Sequence, residues 1–87
     1  MPGIKTNYLL ERISKRDFLA VRLNGLQNGS FCMMLECADG TFIHENLDGI
    51  IKEYNRVDDA LSWLKRKTGL KEIVVNIELW KNDLLKR

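Results

Sequence analysis

Both cysteines and the only histidine of this 87-residue chain fall in one short stretch, GSFCMMLECADGTFIHE, residues 29–45. A thiol beside an imidazole is a nucleophile–base pair, and thiolates with imidazoles also bind zinc. Spacing argues against most of this chemistry. Cys32 and Cys37 are five positions apart, so on a strand they point to opposite faces. At ~3.3 Å per residue their Cα atoms stand roughly 16 Å apart, beyond the ~7 Å that a disulfide spans. The same geometry defeats chelation, and a structural zinc site wants four ligands at tight spacings such as CxxC. Cys37 with His44 remains as a nucleophile pair across a hairpin turning at Asp39-Gly40, without a nameable third group to orient it. A free cysteine otherwise packs as a small hydrophobe. The sequence therefore assigns no catalytic residue, no metal ligand and no cofactor.

Other reaction templates are missing: GxGxxG, the Walker-type phosphate loop, HExxH and the serine elbow do not occur. With one histidine, acid–base work would fall to carboxylates, and Asp58-Asp59 is the only adjacent pair. Those two open a helix, where acids complement the positive end of the dipole. At its other end, LKRKTGLK supplies Lys65, Arg66, Lys67 and Lys71. They can contact the phosphates of a nucleic acid, or complement the negative end of the same dipole. At 100° per residue, three consecutive bases spread over about 200° of helix surface and do not form one stripe.

The elements that must hold these residues follow from hydrophobic period. Thr6 or Asn7 caps a short helix over residues 8–15, with Leu9 and Ile13 on one face. From Asp17 the period becomes two: FLAVRL sets Leu19, Val21 and Leu23 against Phe18, Ala20 and Arg22, a strand. Turn signals at Asn24-Gly25 and Asn28-Gly29 lead into a second strand, FCMMLEC. The Asp39-Gly40 hairpin returns as TFIHE, and whether its loop has two residues or three decides if Phe42 or Ile43 joins the core. Residues 47–54 fit helical and strand spacing alike; the turn at Asp48-Gly49 favours a strand over 50–55. RVDDALSWLKRKTG is the clearest helix, capped by Asn55, striped by Val57, Ala60, Leu61 and Leu64, and stopped by Gly69. Trp63 lies one turn from Lys67, whose stem can cover the indole. KEIVVNIELW is the clearest strand, with Ile73, Val75, Ile77 and Leu79 on one face. Residues 1–6 and 82–87 read as loose ends of a single domain spanning 1–87.

The fold class predicted is α+β: a mostly antiparallel sheet of four or five strands packed by one main helix at about 57–68, with a short N-terminal helix. Apolar residues at 45% and charged residues at 30% describe a globular chain. No apolar run approaches the ~18 residues of a membrane span, and the N-terminus lacks the apolar core of a secretory signal. With two cysteines, the expected setting is cytoplasmic and reduced. The net charge of +2 hides an acidic middle, since residues 36–59 carry seven acids against Lys52 and Arg56.

Apolar residues occur at both parities of the strands, whereas a sheet with one wet face alternates cleanly. One strong helix covers one face. Phe18, Met34 and Trp80 would then form an exposed patch, the expected interface of a homodimer stacked sheet on sheet. The alternative cover is the N-terminal helix or Leu84-Leu85 of the tail. The function expected is a non-enzymatic interaction or regulatory module, dimeric, offering Glu36, Asp39, Glu45 and Asp48 to a basic protein partner. The alternative is a small nucleic-acid-binding regulator using Lys65, Arg66, Lys67 and Lys71.

Overall fold

The computed structural model describes residues 1–81. The chain is α+β, in the order β1 (Gly3–Lys5), α1 (Thr6–Ser14), β2 (Ala20–Gly25), β3 (Phe31–Cys37), β4 (Gly40–Glu45), β5 (Glu53–Tyr54), α2 (Val57–Thr68) and β6 (Val74–Asn76). The sheet runs β1-β4-β3-β2-β6, and β5 takes up the half of β3 that β4 leaves free. Among the described residues, no helix is long and apolar enough to cross a membrane.

The centre of the sheet is antiparallel, as the hairpin signals require: β2 with β3, and β3 with β4 and β5. Both outer pairs are parallel, β1 with β4 and β2 with β6, so the mostly antiparallel sheet is mixed at its edges. The parallel edges arise because β1 runs into α1 and β6 follows α2, and a helical crossover returns a strand in the same sense. Residues 3–5, expected to be loose, make β1 and bond to β4, with Ile43 N–H donating to the Pro2 carbonyl.

Cys37 stands opposite Gly40, so the hairpin loop has two residues and Phe42 packs toward the core while Ile43 faces away. Gly40 has φ 138, a conformation that side chains resist. Residues 46–50 form a tight turn, with Asn46 N–H donating to Ile50 O, and β5 follows as the expected strand, shortened to two residues.

One face of the sheet carries the core. Val21, Leu23, Phe31, Met33 and Leu35 pack beneath both helices, with Leu9 and Ile13 from α1 and Ala60 and Leu64 from α2. Burying such side chains contributes about 1.5–3 kcal/mol each. The N-terminal helix thus shares the face of the main helix and does not roof the far one. Leu61, expected in the buried stripe, is 39% exposed. The start of α2 is capped by extended Arg56 rather than Asn55, with the Arg56 guanidinium 3.1 Å from Asp58. Gly69 ends it in the left-handed region at φ 70, as its position demands.

The strand predicted over KEIVVNIELW is paired only at Val74–Asn76. Its partner β2 ends at Gly25, opposite the start of β3, and the chain then turns at Ile77–Trp80. Leu84-Leu85 lies outside the described residues.

Candidate functional site

The far face of the sheet is laced by charge. Arg22 pairs with Glu36 and Lys5 with Glu45, each at 2.8 Å, and Asn24 Nδ2 donates to Met34 Sδ at 2.7 Å. Of the three expected interface residues, only Met34 belongs to this face. Phe18 packs against the core, and Trp80 stacks on Phe31 at 5.8 Å while its indole N–H donates to Gly29 O. The structure therefore does not bring Phe18, Met34 and Trp80 together into one patch. Apolar residues at both parities come instead from a half-buried far face and from side chains that wrap the sheet's end.

The acidic residues are also largely spoken for. Beyond the Glu36 and Glu45 pairs, Arg12 grips Asp39 with two bonds of 2.9 Å, and Asp48 accepts the Ile50 N–H at 3.1 Å. The Arg12 bonds hold the Asp39 carboxyl below its ordinary range. A free acidic surface over residues 36–48 is not what these contacts leave.

The basic cluster divides. Lys65 and Lys71 flank a groove of about 200 Å³ beside Leu61, Leu64, Leu70 and Ile73, whereas Arg66 lines a separate cleft. Lys65, Arg66 and Lys67 spread around the helix end, as consecutive positions must, and Lys71 lies beyond Gly69.

Cys37 and His44 do not meet. Both lie on the core face of the hairpin, but Cys37 sits at its turn and His44 four residues along β4, roughly 13 Å away at ~3.3 Å per residue. The Cys37 thiol lies 3.8 Å from Asp17 O. Cys32 projects on the other face, and burial pushes its thiol pKa up. Both cysteines are free and buried.

His44 belongs to a different assembly. β4 delivers it beside β1, where it is 2% exposed, and its two nitrogens meet hydroxyls from two other elements. Nε2 is 2.8 Å from Thr6 Oγ1 at the first residue of α1, and Nδ1 is 2.9 Å from the Tyr54 hydroxyl on β5. Trp63 of α2 stacks on the imidazole, with ring centroids 5.7 Å apart and planes inclined by 15°. The indole that Lys67 was expected to cover is thus held by His44 and, at 6.2 Å, by Tyr54. Burial, with a smaller contribution from the charge of Lys52, lowers the His44 pKa to about 4. Burial raises that of Tyr54. The ring is neutral at neutral pH, donating to one hydroxyl and accepting from the other.

These side chains form the inner wall of a cleft of about 540 Å³ between the start of α1, the β4–β5 connection and α2. Lys52 reaches over the Tyr54 ring at 5.6 Å, and Arg66 stands on the α2 side. An imidazole whose conjugate acid has a pKa near 4 is a poor match for moving protons at neutral pH, where the best catalytic groups titrate close to the working pH. It is well suited to fixing the Thr6 hydroxyl and the aromatic wall in place. Sequence reading missed this constellation because Thr6, His44, Tyr54 and Trp63 come from four separate elements. One signal was legible: Asp59, Trp63 and Arg66 recur at i, i+4 and i+7, a second stripe on α2 beside its buried one.

Compared with family models, with curated proteins and with solved structures, the chain matches none.

Proposed function

We propose that this chain is a non-enzymatic interaction module that works as a homodimer, joined edge to edge through β6. The observation that carries the reading is the outer edge of β6. Among the described residues no strand pairs with it, and Val74, Val75, Ile77 and Leu79 are 44%, 40%, 59% and 64% exposed around it. An open edge offers unpaired N–H and C=O groups to any other strand, and proteins guard such edges with proline, charge or bulges. The opposite edge, β1, is guarded: Pro2 precedes it, and Lys5 closes it in an ion pair with Glu45. Within β6 itself there is neither proline nor charge.

A second copy is the occupant that fits. A two-fold axis normal to the sheet sets β6 antiparallel to its mate, apolar edge against apolar edge, and closes after two chains because β1 does not accept a third. The same axis puts both α2 helices on one side of the joined sheet. Leu61 and Leu70 at the groove beside β6 then add apolar contact. That addition matters, since a stable interface buries about 1,200 Å² or more in total and three strand residues fall short of it.

Sedimentation equilibrium at micromolar concentration tests the proposal. The expected result is twice the chain mass, falling to the single-chain mass in Val74→Lys with an unchanged circular dichroism spectrum. A single-chain mass for the unsubstituted protein overturns it.

A further inference from the structure

We infer that the His44 cleft binds one nucleotide unit, a heteroaromatic base carrying a phosphate. The cleft's volume of about 540 Å³ lies within the ~300–1,000 Å³ typical of small-molecule sites, and far exceeds the needs of a bare phosphate. Its inner wall is aromatic. Trp63 is half-buried and fixed on one side by the neutral His44 ring, which is itself locked by Thr6 and Tyr54. A pre-positioned indole is a stacking platform for a base, and such stacking tolerates any base because each has a π face.

Charge is supplied separately. Lys52 and Arg66 both line the cleft, and neither has an ion-pair partner among the described residues. By contrast, the carboxyl of Glu53, the residue after Lys52, is turned to Ser30 and Asn28 and held below its ordinary pKa by them. Glu53 and Asp59 both line the cleft, and the Glu53 carboxyl is the one engaged by other side chains. Asp59, Trp63 and Arg66 lie along one face of α2, about 10 Å end to end at ~1.5 Å per residue. A base stacked on Trp63 has Asp59 to one side along α2 and Arg66, a donor for its phosphate, to the other, with Asn46, Asn55 and Lys52 also on the lining. These five polar side chains can all hydrogen-bond, and Lys52 and Arg66 offer charged donors to a phosphate.

The nucleotide unit reaches the cleft either free or as one position of a single strand. Isothermal titration of the full chain with adenosine 5′-monophosphate, a short single-stranded oligoadenylate and inorganic phosphate separates these sources. Saturable binding of the monophosphate, with phosphate alone at least about tenfold weaker, is the expected result. Arg66→Gln and Lys52→Gln each weaken it by about tenfold through loss of a charged hydrogen bond, with the thermal midpoint unchanged. Oligoadenylate binding more than about tenfold tighter than the monophosphate, with the same sensitivity to both substitutions, assigns the site to a strand; equal affinities assign it to the free nucleotide. No saturable binding of either, binding indifferent to both substitutions, or phosphate binding as well as the nucleotide overturns the inference.

Discussion

Acidification acts on the fold through His44. Burial and Lys52 lower its pKa from 6.5 to about 4, so the folded chain resists a proton that the unfolded chain takes up readily. Between those values the unfolded state binds more protons, and stability must fall as the pH falls. At about 1.36 kcal/mol per pH unit, the loss from neutrality amounts to about 2 kcal/mol at pH ~5 and about 3 kcal/mol at pH ~4. Protonation also removes the acceptor that one of the Thr6 and Tyr54 hydroxyls needs. The carboxyls held low by partners, Glu11, Asp39 and Glu53, push in the same direction, but an unfolded chain's carboxyls take up protons mainly toward pH ~4, so the upper part of the window isolates the histidine. Urea unfolding followed at steps from neutral pH to pH ~5 reads this loss as a falling midpoint. His44→Gln, which cannot titrate, stays level over the same range. An unsubstituted protein whose midpoint is flat, or an imidazole that titrates near 6.5 by NMR, refutes the reasoning.

Four substitutions probe the packing that positions the cleft and the edge. Tyr54→Phe removes a hydroxyl from a buried imidazole nitrogen and costs about 1–3 kcal/mol, read from the urea midpoint at neutral pH. Leu64→Ala opens the core beneath α2 and costs about 2–5 kcal/mol by the same measurement. Gly69→Ala meets nothing within 4 Å, so its cost is conformational, about 1 kcal/mol for a side chain at φ 70, seen as a lowered thermal midpoint. Gly25→Ala drives a methyl into the Trp80 side chain and costs about 1–3 kcal/mol, with a change in tryptophan emission as the indole leaves Phe31.

Local signals carried the sequence reading where they decide structure locally. The α2 stripe, Gly69 and the hairpin signal at Asp39-Gly40 each depend on near neighbours; Gly69 stands where its chemistry requires, the stripe holds except at Leu61, and the hairpin turns one residue earlier, at Ala38-Asp39. The edges of the sheet were illegible because their partners are remote. Gly3–Lys5 is too short to show a period, and it becomes a strand only because residues 43–45 lie alongside. KEIVVNIELW has the period of a long strand, but β2 provides just three residues to pair with it. The cleft was hidden for the same reason. Thr6 and His44 are far apart in sequence, and nothing local to His44 says that a hydroxyl will meet each of its nitrogens. Alternation did indicate apolar side chains on both faces. It did not say that Arg22–Glu36 and Lys5–Glu45 would cross the far one, which moves the proposed contact from the sheet's face to its edge.

Half-filtered NMR on a mixture of isotope-labelled and unlabelled chains reports contacts between copies alone. Edge-to-edge pairing predicts cross-copy signals among Val74, Val75 and Asn76, with Leu61 near its own mate. Cross-copy signals that instead join Met34 and Ile43, or none at concentrations where the chain is saturated, contradict it.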